Sequence, residues 1–193
     1  MGERIDAKAL KILFTEARTA QGFLDKPVAP ELLKELYEVT KMGPLSANLH
    51  ALKVVYVASK EGKEKLKPTL SPNNVEKTMA APVTAILAFD TNYWEKANVY
   101  FPMRDMREWL KKDGTGMGTL NATLAAGYFI LAARALGLDV GPMGGFDKPK
   151  ADEAFFPGGT VKSLFLCNLG YIDPAKLFPR LPRPTFEESV SFV

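Results

Sequence analysis

Residues 140–147 read V-G-P-M-G-G-F-D, and two adjacent glycines, Gly144 and Gly145, close an apolar run with the composition of a strand. Glycine lacks the Cβ that blocks close approach, so the stretch implies either a tight turn or a flat ligand laid against the backbone. Side chains elsewhere offer little chemistry of their own. The single histidine, His50, excludes a multi-histidine zinc site, and no serine stands in a G-x-S-x-G setting. A lone histidine near a loop reads first as a satisfied polar group. Glu187 and Glu188 are adjacent and would not share a helix face, so a solvated pair is the simpler reading. Cys167, the only cysteine, sits inside S-L-F-L-C-N-L-G-Y as an inert buried thiol and allows no internal disulfide. With no catalytic constellation and no metal-ligand set, an enzyme built on this chain would leave the reaction to a bound cofactor.

A second glycine cluster, D-G-T-G-M-G-T at 113–119, precedes a long apolar segment, with Asp139 about where a dinucleotide fold keeps its ribose acid. The spacing lacks the third glycine of G-x-G-x-x-G, and the preceding M-R-E-W-L-K-K-D is helical and charged where a buried strand is required. It reads as a helix lead-in.

These residues need a scaffold. Helical patterns cover 6–19, 30–42, 73–80 and 119–137, with Pro30 suited to a first turn. Apolar, β-rich runs cover 53–59, 83–89, 138–143 and 163–171, which predicts a mixed central sheet flanked by helices, α/β or α+β. The 193 residues show no linker or repeat and read as one domain, 1–193, with 91–118 as an insertion able to cover a site. A net charge of +3 is too small to imply nucleic acid, the nearest basic cluster being Lys176, Arg180 and Arg183 in the tail. The segment 120–138 approaches membrane-span length, but Asn121, Arg134 and many small residues suit a central helix packed on both sides. The charged amphipathic N-terminus lacks a secretory apolar core, so the expectation is a cytoplasmic protein with no membrane and no nucleic-acid partner.

Four segments in order, A-R-T-A-Q-G-F (17–23), G-P-L-S-A-N (43–48), G-P-M-G-G-F (141–146) and L-P-R-P-T-F-E-E (181–188), together resemble the flavin-dependent nitroreductase family over essentially the whole chain. The resemblance implies FMN as cofactor and NADH or NADPH as reductant, in a ping-pong hydride transfer through flavin N5 with no catalytic side chain. It implies phosphate binding by Arg18, Thr19 and Arg183, contacts to the ring's polar edge from Ser46 and Asn48, and a further contact from Asn73. Pro142, Met143, Gly144 and Gly145 would lie along the reactive edge, with the Gly145 N–H at N5. It also implies an obligate homodimer with the long helix buried and C-terminal arms exchanged. The chain departs from the pattern at Gln21, where a second basic residue is usual, at Leu45 in place of the first of paired serines, and at Gly144, where many members have Glu. Arg180 is the candidate to replace the lost phosphate partner.

The runs G-L-D-V-G-P-M-G-G-F-D and A-F-F-P-G-G-T-V-K-S-L-F-L-C-N-L-G-Y are similar to one branch, the malonic semialdehyde reductases of pyrimidine degradation. That likeness implies reduction of malonic semialdehyde to 3-hydroxypropanoate. The alternatives are a broad nitroaromatic or quinone reductase and a flavin-binding protein without reductase turnover. Arg104 and Arg107, three residues apart in F-P-M-R-D-M-R-E-W-L, would share a helix face and could meet a substrate carboxylate. Asp105 and Glu108 beside them permit an exposed, salt-bridged helix instead.

Overall fold

A computed structural model describes residues 2–193. In chain order its elements are α1 (Ala7–Leu10), α2 (Pro30–Thr40), β1 (Leu52–Val57), α3 (Lys60–Leu66), α4 (Pro72–Ala80), β2 (Val83–Asp90), α5 (Ala97–Tyr100), α6 (Arg107–Asp113), α7 (Gly116–Ala135), β3 (Asp139–Met143), α8 (Lys148–Phe155), β4 (Val161–Gly170) and α9 (Phe186–Ser189). The fold class is α+β. Its four strands form one sheet in the order β1-β2-β4-β3, antiparallel at every pairing. The mixed character expected of the sheet reduces to one parallel bridge at its edge, between Thr19 and Val140.

The central strand β2 is buried on both faces, and its alternate side chains serve two different cores. Val83, Ala85 and Leu87 meet Leu33 and Leu36 of α2 and Ala126, Phe129 and Ala133 of α7. Ile86 points the other way, toward Leu66 of α3, Met143, Leu166 and Ala151 of α8. The result is three layers, α2 and α7 on one face and α3, α4 and α8 on the other. Within α2, Pro30 occupies the first turn, where its missing N–H is harmless, and Leu33, Leu36 and Thr40 form the buried stripe.

Helix α7 has the length and apolarity of a membrane span. Its face of Asn121, Ala122, Ala125, Ala126, Phe129, Ala132 and Ala133 is nevertheless buried in the domain. The expectation of burial on both sides holds for one side only within this chain, because Leu120 and Leu124 on the other face are 58% and 42% exposed. The first helix is shorter than its 6–19 pattern. It ends at a wide turn in which Glu16 N donates to Lys11 O at 3.0 Å, and the following residues are drawn onto the edge of β3. Helices α3 and α8 escaped the periodicity reading because K-E-G-K-E-K-L and K-P-K-A-D-E-A-F carry too few apolar residues to mark a face. Cys167 is fully buried, and burial pushes its thiol up to about 12, which makes it inert.

One buried polar group stands out. Lys63 of α3 is 5% exposed, its ammonium donates to Thr78 O and Thr84 Oγ1 at 2.7 Å each, and it forms no ion pair with a carboxylate among the described residues. Desolvation draws it from the usual 10.5 down to about 8. Folding therefore releases a proton between those values, the unfolded chain holds more protons, and stability rises with pH across that window. The difference in urea stability between the wild type and Lys63→Met should grow in favour of the wild type by roughly 2 kcal/mol between pH 7 and 10, because groups such as Cys167 titrate alike in both.

Candidate active site

The turn between β3 and α8 carries both glycines. The Gly145 carbonyl accepts two hydrogen bonds, from Ser71 N at 3.1 Å and Asn74 Nδ2 at 2.8 Å, which tie the turn to the start of α4. A Cβ on Gly145 would stand 2.5 Å from Asn74 Nδ2, so a neighbour in the chain itself requires glycine there. Gly144 differs: it is exposed, and a Cβ on it would meet no protein atom within 4 Å. Neither glycine has a positive φ, so close approach and not backbone angle is at issue. Among the described residues the Gly145 N–H meets no acceptor. Pro142 is half-buried, and Met143 turns its side chain into the core, where Sδ accepts from Thr78 Oγ1 at 3.5 Å, leaving only backbone for a ligand.

Residues 17–23 run beside β3 on its free edge. Ala20 N donates to Val140 O at 2.9 Å, and the missing Cβ of Gly141 leaves room for Ala20 O, which would otherwise lie 2.8 Å away. This fixes Arg18, Thr19 and Gln21 along a cavity of about 660 Å³ whose wall includes Arg134, Arg180 and Arg183. Arg18 donates to Phe178 O, Arg180 to Thr15 O and Ala17 O at 2.9 Å each, Arg183 to Leu181 O at 3.1 Å and Pro182 O at 3.2 Å, and Arg134 to Leu13 O at 2.9 Å. All four guanidiniums rest on neutral carbonyls, and none forms an ion pair among the described residues. Four guanidiniums without an ion pair around one cavity, with Asp139 near Arg134, form a site for an anion, with forked donors suited to phosphate.

A smaller cavity of about 200 Å³ shares Gln21 and Phe178 with the arginine cavity and has Asn73, Glu76, Lys77 and Lys176 on its wall. Lys77 Nζ donates to Gln21 Oε1 at 3.4 Å, and partial burial lowers its pKa. The cation missing at position 21 thus arrives in space from α4. Of the two adjacent asparagines, Asn73 is exposed on the cavity rim, while Asn74 is buried and holds Gly145. Asn74, Lys77 and Arg134 are the site residues that sequence reasoning missed. For the first two, the signal was their spacing of three in P-N-N-V-E-K, which puts them on one helix face.

Ser46 and Asn48 belong to a different place. Ser46 N donates to Asn121 Oδ1 at 2.8 Å, and Asn121 Nδ2 returns a bond to Ser46 O at 3.3 Å, which anchors the loop near the start of α7. Ala47 and Asn48 both hold left-handed backbone, φ 49° and 51°, a strained pair for residues with a Cβ. Asn48 Nδ2 donates to Tyr100 O at 2.9 Å, its Oδ1 lies 3.0 Å from His50 Nε2, and the His50 and Tyr100 rings meet edge to face at 5.2 Å. His50 is thereby a satisfied polar group that links the loop to Tyr100 of α5. Asn121 and Arg134 are thirteen residues apart on α7, about 20 Å at 1.5 Å per residue, so one chain does not bring Ser46 and Asn48 to the arginine cavity.

Arg104 and Arg107 do not share a helix face. Arg104 precedes the helix in an exposed turn after Pro102, and Arg107 opens α6. The Arg107 guanidinium bonds Asp105 at 2.6, 2.9 and 3.2 Å and holds that carboxyl down at about 2, so its charge is already answered.

Fold and cavity together describe a layered α+β domain with an arginine-walled anion site and, at the end of β3, an open glycine turn. The nitroreductase family profile matches residues 15–171, and the chain belongs to that family. It is 54% identical, over 98% of both chains, to a Stenotrophomonas maltophilia (strain K279a) protein provisionally named an NADH dehydrogenase/NAD(P)H nitroreductase. Among solved structures it is similar to a provisionally named Bacillus subtilis nitroreductase, with a TM-score of 0.87 at 24% identity over 97% of this chain and 100% of that one. A nitroreductase of Exiguobacterium sibiricum, likewise provisionally named and solved with FMN, aligns over the full length of both chains with a TM-score of 0.78 at 18% identity.

The two glycines separate by substitution. Gly145→Ala must displace Asn74 and should lower stability by about 1–2 kcal/mol in urea. Gly144→Ala should leave the apo chain's Tm unchanged and yet weaken any ligand that lies on the turn; an equal Tm loss in both variants would deny them separate roles.

Proposed function

We propose that the chain is an FMN-dependent NAD(P)H oxidoreductase that works as a homodimer. The observation that carries this reading is the cavity walled by four guanidiniums, together with a turn that is open at Gly144 and whose Gly145 N–H meets no acceptor among the described residues. That donor set fits a phosphate at one end and a flat, polar-edged ring at the other. When bound, FMN supplies the hydride chemistry that no side chain here offers. Arg18, Thr19, Arg180 and Arg183 hold its phosphate, with Arg134 deepening the positive field. Gln21, Asn73 and Lys77 line the path to the ring, and the Gly145 N–H is aimed at the reactive edge, where a fixed donor stabilises developing negative charge. Because the nicotinamide only visits the ring, no dinucleotide fingerprint is needed.

The geometry is consistent with the dimer: Ser46 and Asn48 are held near the start of α7, away from the arginine cavity of their own chain, and a partner's copies would complete it. The exposed Leu120 and Leu124 of α7 supply an apolar contact face. In the single chain the tail lies back along residues 15–18 with Phe178, Leu181 and Phe192 exposed, a segment suited to exchange with the partner. The insertion 91–118 would then act as a lid over the partner's turn.

For the acceptor we infer a small semialdehyde, malonic semialdehyde reduced to 3-hydroxypropanoate, on the sequence likeness and on Arg104, a lid arginine that forms no ion pair among the described residues. A second reading, a broad nitroaromatic or quinone reductase, is favoured by Tyr100, Met103 and Trp109, exposed on the same lid, and by the name of the Stenotrophomonas relative. A flavin-binding role without turnover is the third. The place of action we infer is the cytoplasm.

The purified protein should absorb near roughly 370 and 450 nm, bleach under anaerobic NADH or NADPH, and regain colour with acceptor. Light scattering should give twice the 21.2 kDa chain mass. A higher kcat/KM for malonic semialdehyde than for a nitroaromatic, lost in Arg104→Leu through KM, supports the first reading; the reverse order selects the second. A coloured protein that does not bleach selects the third, and a colourless monomer defeats all three.

A further inference from the structure

Pro82 leaves a gap at the end of α4. The carbonyl of Thr78 would normally accept from the N–H four residues on, but that residue is proline and has none. Lys63 fills the gap from α3, its ammonium donating at 2.7 Å to Thr78 O and at 2.7 Å to Thr84 Oγ1 on β2. The C-terminal turn of a helix is the negative end of its dipole, so a cation is well placed there without a carboxylate. Thr84 passes the chain on, donating to Asn168 Oδ1 at 2.7 Å; Asn168 Nδ2 donates to Lys77 O at 3.3 Å and Thr78 Oγ1 at 3.4 Å. Thr78 Oγ1 in turn reaches Met143 Sδ beneath the glycine turn.

We propose that Lys63 is a positioning residue for the cofactor site, acting through α4 to fix Asn74 and Lys77 against the glycine turn and Gln21. The proposal rests on the FMN reading above. Both ends of α4 are tied: the first turn to Gly145 through Ser71 and Asn74, and the last to Lys63 and Asn168. Asn74 makes the first tie and the Lys77 carbonyl takes part in the second, so both head groups keep their places only while both ties hold. An ammonium sealed in the interior is held against its desolvation, where an apolar side chain of the same length would need no charge; retaining it points to a task beyond packing. Of the charged residues on α4, Lys77 is the one that bonds Gln21.

The test is a double-mutant cycle read as FMN dissociation constants by flavin fluorescence, with apo-protein Tm alongside. Lys63→Met should weaken FMN about tenfold in the wild-type background and less than threefold in Lys77→Gln, because the ammonium acts through the residue already removed. Equal losses in both backgrounds, or no loss, would overturn the proposal. Should Lys63→Met fail to fold, Thr84→Val, nearly isosteric, removes one of the ammonium's two acceptors and must show the same dependence on Lys77, or the proposal falls. A wild-type chain that binds no FMN removes the cofactor reading, and amide hydrogen exchange in the apo chain then decides on Lys63 alone. Faster exchange in α4 than in α2 upon Lys63→Met sustains the positioning role; equal change in both ends it.

Discussion

The Gly145 carbonyl is the point on which the site depends. By accepting from both Ser71 N and Asn74 Nδ2 it joins the end of the edge strand β3 to the start of α4, two elements far apart in the chain. A buried amide that lost this partner would leave polar atoms unsatisfied, so the joint is held more firmly than its two bonds alone imply. One wall of the cavity is referenced to it. Lys77 stands one turn beyond Asn74, Gln21 meets Lys77, and Arg18 and Thr19 follow Gln21 back along the same strand edge.

Positive charge is distributed around this frame with little compensation. The arginines at 18, 134, 180 and 183 bond to carbonyl oxygens, which orient them without neutralising them, in contrast to Arg107, which is answered by Asp105. Orientation without neutralisation is the condition for a receptive anion site, because the field is already in place when the ligand arrives. Strain is placed similarly. The consecutive left-handed Ala47 and Asn48 are held by Asn121 and Tyr100, so the loop pays for its shape with bonds that also fix where its amide points.

Much of the fold was legible because burial wrote itself as pattern. β2 and β4 are near-continuous apolar runs, and α2 carries a stripe at helical spacing after a proline. What stayed hidden lacked such a pattern: α3 and α8 are mostly charged, and strand direction follows from pairing that no short window contains. In the site, types were readable and faces were not. Asn73 and Asn74 are indistinguishable as letters, yet one turns to solvent and the other to Gly145. Arg104 and Arg107 looked paired only on the assumption of an unbroken helix, which the turn after Pro102 denies. The arginine motif and the P-L-S-A-N motif were both visible, but their separation along α7 belongs to the third dimension.

The free edge of β3 has a consequence for self-association. Residues 19–20 already lie along it, and Pro142 has no N–H to offer a newcomer, so no foreign strand can be added on that side. The opposite edge strand, β1, has no such cover, and it carries the outward-facing Lys53 paired with Asp90. The sheet can be extended in one direction only. Any exchanged arm has a single address, and the indefinite strand-by-strand stacking that leads to fibres is closed off at the first step.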